Sequence, residues 1–312
     1  MTDTNTRNEL AIQVAWLYHD RNLTQQEIAN RLGISRSTIS RLLTEAERDG
    51  IVRVIITQPL PESARLSDAL IERYSLAGAI VGQALDDETP GLAAAAAMAR
   101  RLESIAASGD VTIATGWGRT IALCAQETRP VATNGVMIVD AFGHTTTDDV
   151  TAAVEVSNTL SRKFGARVTH VPSPGFAASA DLANSFVSST QVSRALARAR
   201  TADVVMVSIG VASMDSLLIA EGFMTEQSMT DTINAGAVGE IFGWYFDAEG
   251  RSVPVETLHP IALTLEDMRA SSRVIGVAGG TEKTEAIRGA IATGVLDEIA
   301  VDMTLATSLL DD

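Results

Sequence analysis

Near the start of the chain apolar residues recur every three or four positions, the spacing of a helix that buries one face. Leu10, Val14 and Leu17 predict a helix over Arg7 to Asp20. A second helix begins at Thr24, which with Glu27 makes a capping box, while Ile28 and Leu32 supply an i, i+4 apolar pair. Gly33 can take the left-handed conformation that stops this helix, and Ser35 can accept from the free amides of a third. On that third helix Ile34, Ile39, Leu42 and Leu43 fall on one side. Ser37, Ser40, Arg41 and Thr44 fall on the other, with Arg36 beside them. Asp49-Gly50 ends it, and the run Ile51 to Ile56 predicts a strand that would serve as a wing.

Pro59-Leu60-Pro61-Glu62-Ser63 is a stiff polar break, and Leu66, Leu70, Ile71 and Tyr74 then predict a linker helix that could pair subunits. From Ala77 the pattern changes to short aliphatic runs alternating with helical stretches. Ala79 to Val81, Val111 to Ala114, Val136 to Val139, Val168 to Val171, Val204 to Ile209, Val274 to Val277 and Ile299 to Val301 are the runs. Leu92 to Ala106, Thr120 to Ala125 and Thr151 to Phe164 are the first intervening helices. Runs rich in branched residues and lacking polar alternation belong to parallel strands covered on both faces. The expected fold class is α/β: an N-terminal winged helix-turn-helix plus a doubly wound, Rossmann-like effector domain. The segments are 1–58 for the helix-turn-helix, 59–76 for the linker helix and 77–312 for the effector domain. In such sheets ligands bind outside the carboxyl ends of the strands.

A short helix with an outward face of Arg, Ser and Thr suits a DNA major groove, where arginine forks onto guanine and hydroxyls reach base edges or phosphates. The candidate DNA-contacting residues are Thr24, Gln25, Ser35, Arg36, Ser37, Thr38, Ser40, Arg41 and Thr44. An ordinary helical hairpin would share the polar face, but capping, turn glycine, spacing and wing agree on a DNA-reading unit. Charge narrows the picture further. Through Gln58 seven arginines meet seven acidic residues, so the whole net charge of −15 lies in the remainder. Phosphate backbones would repel that part, leaving double-stranded operator DNA to the N-terminal unit.

Cys124 is the single cysteine and reads as a small core residue in a reducing compartment. The polar start is no signal peptide and no apolar run is long enough to span a bilayer, so a cytoplasmic protein without a membrane partner is expected. The histidines at 19, 144, 170 and 259 lack the short spacings of a metal helix, and neither a metal nor a cofactor is expected.

Two loops carry candidate chemistry. Gly116-Trp117-Gly118-Arg119-Thr120 follows one aliphatic run and opens a helix. Glycines, free helical amides, a cation and a hydroxyl describe a phosphate cradle, and an empty strand-to-helix turn would use the same glycines. Ile121 stands where a dinucleotide fingerprint wants its third glycine. Ala278-Gly279-Gly280-Thr281-Glu282-Lys283 repeats the strand-to-helix setting but lacks the glycine before Lys283 that a nucleotide-hydrolysing loop needs. Lys283 and Lys163 are the chain's only lysines. At a loop-helix junction Lys283 suits a phosphate or a sugar hydroxyl, or it is a solvated surface lysine. Asp247 could accept from sugar hydroxyls or begin a turn that Gly250 closes.

Together these residues resemble the SorC family of bacterial transcriptional regulators over essentially the whole chain. The resemblance is carried by Leu-Thr-Gln-Gln-Glu-Ile-Ala at 23–29, Gly-Trp-Gly-Arg-Thr at 116–120, Gly-Ala-Val-Gly-Glu-Ile at 236–241 leading to Phe246-Asp247, and Val-Ala-Gly-Gly-Thr-Glu-Lys at 277–283. It implies an effector domain similar to sugar-phosphate isomerases and CoA-transferases, binding a phosphorylated sugar or sugar alcohol, in a homo-oligomer that is usually a tetramer. On the matching motifs, Gly116, Trp117, Gly118, Arg119 and Thr120 would hold the phosphate, and Asp247, Gly279, Gly280 and Lys283 would line the sugar end. The bulk of Trp117 and Arg119 leaves an unphosphorylated sugar alcohol open. A sugar-phosphate isomerase or deaminase with an appended DNA-binding unit is the alternative, but no paired acid and base share a motif and no catalytic residue is assigned.

Overall fold

The computed structural model describes residues 2–52, 61–83, 90–145 and 152–311. The chain divides into two compact units, Met1–Pro59 and Leu60–Asp312.

The first unit contains α1 (Thr2–His19), α2 (Gln25–Leu32) and α3 (Arg36–Arg48). Thr24 and Glu27 complete the capping box of α2, and Ser35 Oγ accepts from the Thr38 amide at the start of α3. Between the helices Gly33 stands at φ 68°, ψ 26°, so its amide reaches back to the Ala29 carbonyl. A side chain there would meet backbone strain. The fully or almost fully buried Val14, Leu17, Ile28, Ile39 and Leu42 make a small common core. The expected wing strand is Ile51 to Ile56, of which 53–56 lie outside the described residues, as does the Pro59-Leu60 break; Ile51 and Val52 are not in a strand.

In the second unit a helix, α4 (Glu62–Tyr74), precedes the strands. It belongs to this unit's core: Leu70 is fully buried, and Tyr74 Oη donates to the Leu309 carbonyl at 2.5 Å. The strands are β1 (Gly78–Gly82), β2 (Thr112–Thr115), β3 (Met137–Asp140), β4 (Arg167–Thr169), β5 (Phe176–Ala177), β6 (Val204–Ser208) and β7 (Gly210–Val211). They continue as β8 (Ala237–Ile241), β9 (Trp244–Asp247), β10 (Ser252–Val253), β11 (His259–Pro260), β12 (Val274–Val277) and β13 (Glu298–Asp302).

Seven of them form the main sheet in the order β1-β13-β12-β6-β2-β3-β4, with every pairing parallel. Three helices, α5 (Pro90–Ala107), α6 (Arg119–Glu127) and α7 (Ala153–Phe164), share one buried cluster with residues of this sheet. Residue 151, where the third of these helices was expected to start, lies outside the described residues. A second cluster holds Val192 and Leu196 together with Leu305 and Leu309 against Val205 and Val207 of β6. Two apolar coverings account for the unalternated strand sequences. The connections from β2 step outward to β3 and β4, whereas those from β6 step the other way to β12 and β13. The direction therefore reverses between β2 and β6, and that switch point is where an open parallel sheet leaves a crevice.

Beside the parallel sheet that the aliphatic runs predict, β10-β9-β8-β7 form an antiparallel sheet of four strands and β11-β5 another of two. Ala237, Gly239 and Ile241 of β8 alternate buried against half-buried Val238 and Glu240, the period of a strand with one covered face.

Candidate functional site

The outward face of α3 is open. Arg36, Ser37, Ser40, Arg41 and Thr44 are exposed, while Gln25 and Thr38 are half-buried and Thr24 and Ser35 act as caps. Ser35 Oγ also meets the hydroxyls of Ser37 and Thr38 at 2.9 and 2.8 Å, and Thr44 Oγ1 donates to the Ser40 carbonyl. Glu45 accepts from Arg7 at 2.5 Å and lies at 4.0 Å from Arg41, whose side chain keeps 62% of its exposure. The Arg41 guanidinium is thus available to fork onto a base edge. Replacing Arg41 with Ala should weaken operator binding about tenfold or more at fixed salt, the cost of one bidentate base contact. Full retained affinity in a gel-shift titration would remove Arg41 from the recognition face.

In the second unit a cavity of about 550 Å³ opens at the switch point, lined from the β2–α6 loop, the end of β6 and the residues after β12. The β2–α6 loop is tightly held. Gly118 stands at φ 122°, and a Cβ there would lie 2.8 Å from Ser208 Oγ, which itself donates to the Trp117 carbonyl. Gly116 has the Phe242 ring where a Cβ would be, at 2.2 Å. Among the described residues no side chain caps α6, which leaves its first amides to face a ligand beside Arg119 and Thr120 on the cavity wall. Trp117 is 4% exposed: it stacks on Phe142 at 5.4 Å and meets Phe176 and Phe223 edge-on. Its bulk therefore goes into an aromatic cluster and it shows the cavity only one surface.

Across from this loop Lys283 Nζ donates to the Ile209 carbonyl at 3.0 Å. It is only half-buried by exposure to solvent, but protein surrounds it closely. Burial pushes its ammonium below the ordinary lysine value and Arg119 adds to that, while Glu240 pulls it back. Glu240 shows the mirror image. Burial pushes its carboxyl up, and the Gly243 amide, donating at 2.7 Å, and the Lys283 charge oppose the rise. One cavity thus offers helix-terminal amides, two cations, hydroxyls and three carboxylates, those of Asp215, Glu240 and Glu282, a set that receives an anion at one end and hydroxyl donors at the other.

The structure brings Trp117, Gly118, Arg119, Thr120 and Lys283 to this cavity and sets the other expected residues apart. Asp247 is one of those set apart. It ends β9, and its Oδ1 accepts from the amides of Glu249 and Arg251 while Oδ2 accepts from Arg251 Nε at 2.7 Å. Burial would raise this carboxyl, but those Arg251 and Glu249 donors hold it below its ordinary value. The carboxylate closes a β9–β10 hairpin and does not line the cavity. Gly279 and Gly280 are buried in the turn after β12, where the Gly280 amide donates to Asp302 Oδ2 at 2.8 Å, and they position Lys283 without lining the wall. Three acidic residues outside the expected set reach the cavity, Asp215, Glu240 and Glu282; Glu240 sits within the 236–241 motif as a carboxylate in an otherwise apolar strand, and Glu282 directly precedes Lys283. Accordingly, Asp247→Ala should leave effector affinity within about twofold, as for a residue outside the contact set. A loss of binding by calorimetry would return Asp247 to the site.

The fold also gathers histidines that spacing left scattered. His170 Nδ1 lies 2.8 Å from Asp140 Oδ2, and a ligand atom of His144 lies within 4.8 Å of one from each. The hydrogen bond to Asp140 raises His170 above the ordinary imidazole value, against the opposing effect of burial.

Residues 58–311 match the family model Sugar-bind, described as "Putative sugar-binding domain", and residues 10–59 match a Crp-like helix-turn-helix domain. The chain belongs to the SorC family of transcriptional regulators. Along nearly its full length this SorC-family protein is 27% identical to the deoxyribonucleoside regulator of Bacillus subtilis, covering 98% of each. It is 28% identical to the erythritol catabolism regulatory protein EryD of Brucella abortus, covering 97% of this chain and 96% of that one. The full-length sorbitol operon regulator SorC of Klebsiella pneumoniae shares its fold, with a TM-score of 0.74 and 22% identity over 97% and 99% of the two chains. The SorC-family chain is a DNA-binding transcriptional regulator carrying a sugar-binding domain, and the enzymatic alternative is set aside. None of its described helices is long and apolar enough to cross a membrane.

Proposed function

We propose that a phosphorylated sugar or sugar alcohol binds in the switch-point cavity and changes the grip of the N-terminal helix-turn-helix on a palindromic operator, in a cytoplasmic homotetramer. The observation that carries the effector class is the convergence of the uncapped α6 terminus, Arg119 and Lys283 on the cavity that Glu240 also lines. The phosphate lies at the α6 amides with Gly118, Arg119 and Thr120, and Lys283 stands between the phosphate and the hydroxyl-accepting Glu240. The names of the Bacillus and Brucella relatives, one a deoxyribonucleoside and the other an erythritol regulator, are in keeping with a carbohydrate effector. A symmetric oligomer presents its recognition helices in pairs, hence the palindrome.

The test is a thermal-shift screen of matched pairs, each sugar or polyol with and without its phosphate. A ligand that binds only the folded chain raises the melting temperature by mass action. The phosphorylated member of one pair should raise it and its free form should do so far less. A shift produced by the free polyol alone would leave the cavity as the site and remove the phosphate from it. Light scattering on the eluting protein checks the tetramer.

A further inference from the structure

We propose that Asp140, His144 and His170 bind one divalent transition-metal ion of the zinc type, at a site separate from the effector cavity. The sheet places two of the three by register. Val139 pairs with Thr169 across β3 and β4, so the next residues, Asp140 and His170, emerge side by side at the carboxyl ends of adjacent strands. His144 is fixed by its own backbone, its amide donating to Ser173 and its carbonyl accepting from Gly175. Ligand atoms from the three lie within 4.8 Å of one another. Tetrahedral zinc, with ~2 Å bonds, needs them roughly 3.3 Å apart, a difference small side-chain rotations close.

A second observation points to the same place. Six buried side-chain polar atoms lack a hydrogen-bond partner among the described residues, and five belong to these ligands or their immediate neighbours: Asp140 Oδ1 and His144 Nε2 themselves, Thr145 Oγ1 next in the chain, Ser173 Oγ on the residue whose carbonyl accepts from the His144 amide, and Thr115 Oγ1. Thr115 pairs with Asp140 in the β2–β3 register. Buried polar atoms are otherwise almost always satisfied, so the unpartnered Asp140 Oδ1 and His144 Nε2 call for a polar guest. Asp140 is fully buried, and a buried carboxylate facing two imidazoles is a cation's donor set; this mixture of nitrogen and oxygen favours zinc, cobalt or nickel over magnesium.

For His170 to coordinate through Nδ1, the neutral ring takes the tautomer with its proton on Nε2, and the ion replaces the Nδ1–Oδ2 hydrogen bond. His144 also borders an open groove with Ser173, Phe176 and Phe223, through which the ion enters. Trp117 lines the effector cavity and meets Phe176 and Phe223, so the two spaces share an aromatic partition.

The experiment titrates the full chain, stripped with a chelator, with zinc by calorimetry and with cobalt by visible absorption. Wild type should take up one zinc per chain and show a cobalt ligand-field band, while magnesium gives no heat. His144→Ala and His170→Ala should each weaken zinc binding about tenfold or more. Asp140→Asn should do the same, and if that buried substitution prevents folding, judged by circular dichroism, the His144 variant decides, because His144 as a residue is less buried than Asp140. Absence of zinc heat and of a cobalt band in wild type overturns the site, and so does wild-type affinity in the double histidine variant, which would place the metal elsewhere. Effector binding in the thermal-shift screen is scored separately, so failure of one reading leaves the other standing.

Discussion

Replacing Lys283 with Ala is expected to weaken binding of an anionic effector about 10- to 100-fold, the range for losing a hydrogen bond to a charged group. The ammonium is held by one backbone carbonyl, that of Ile209, and is surrounded closely enough that burial opposes its charge. It is therefore oriented before the ligand arrives. Removing it also leaves Glu240 without the cation that counters its burial, so Glu240 in the variant should hold a proton more readily. Glu240→Gln combined with Lys283→Ala should accordingly cost less than the two single changes added together, as neighbours that share a charge balance do. The pH dependence follows from the directions of these shifts. Lys283 lies below the ordinary lysine value, so the attraction is complete where it is protonated and fades as pH rises, sooner than for a solvated lysine. Calorimetry from neutral to alkaline pH checks this. Wild-type affinity in the single variant, or an alkaline decline that persists without Lys283, would show that the anion is held elsewhere.

What could be read before folding depended on how local each feature is. The capping of α2, the Gly33 turn and the Ser35 cap are arrangements within a few residues, and the chain carries them openly. Parallel strands showed themselves through unalternated Val and Ile runs, because two covered faces leave no polar period to detect. Asp247 could not be decided in the same way. An Asp followed by Gly three residues later serves a hairpin turn or a ligand equally well, and only the donors from Glu249 and Arg251 settle it. Glu240 sat inside a recognised motif, but its placement needs β7, a two-residue strand too short to leave a pattern. His144 and His170 have α7 and β4 between them in sequence, and it is the β3–β4 register that brings His170 beside Asp140. Spacing rules for metal sites look along one helix and miss ligands gathered at the ends of strands.

Leu42→Ala is expected to have the largest effect on stability, and to abolish DNA binding while sparing the effector domain. Leu42 is 2% exposed and packs with Val14, Leu17, Ile28 and Ile39, which together are most of the first unit's core. Truncating a buried leucine costs about 2–5 kcal/mol through lost transfer energy and the cavity left behind. At roughly 0.05–0.15 kcal/mol per residue, a unit of this size holds only about 3–9 kcal/mol of stability in all. The loss is thus comparable to the whole, and for so small a domain it corresponds to a fall of about 10–30 °C in melting temperature. The second unit buries its own separate clusters and contains none of these side chains, so its transition should stay where it was. Calorimetric scanning of the intact chain should therefore show the N-terminal transition lowered or gone and the larger one unmoved, with effector binding preserved and operator binding lost. If both transitions fell together, the two units would be one cooperative body, and the division of labour between a DNA-gripping head and a sugar-sensing domain would have to be argued as a single folding event.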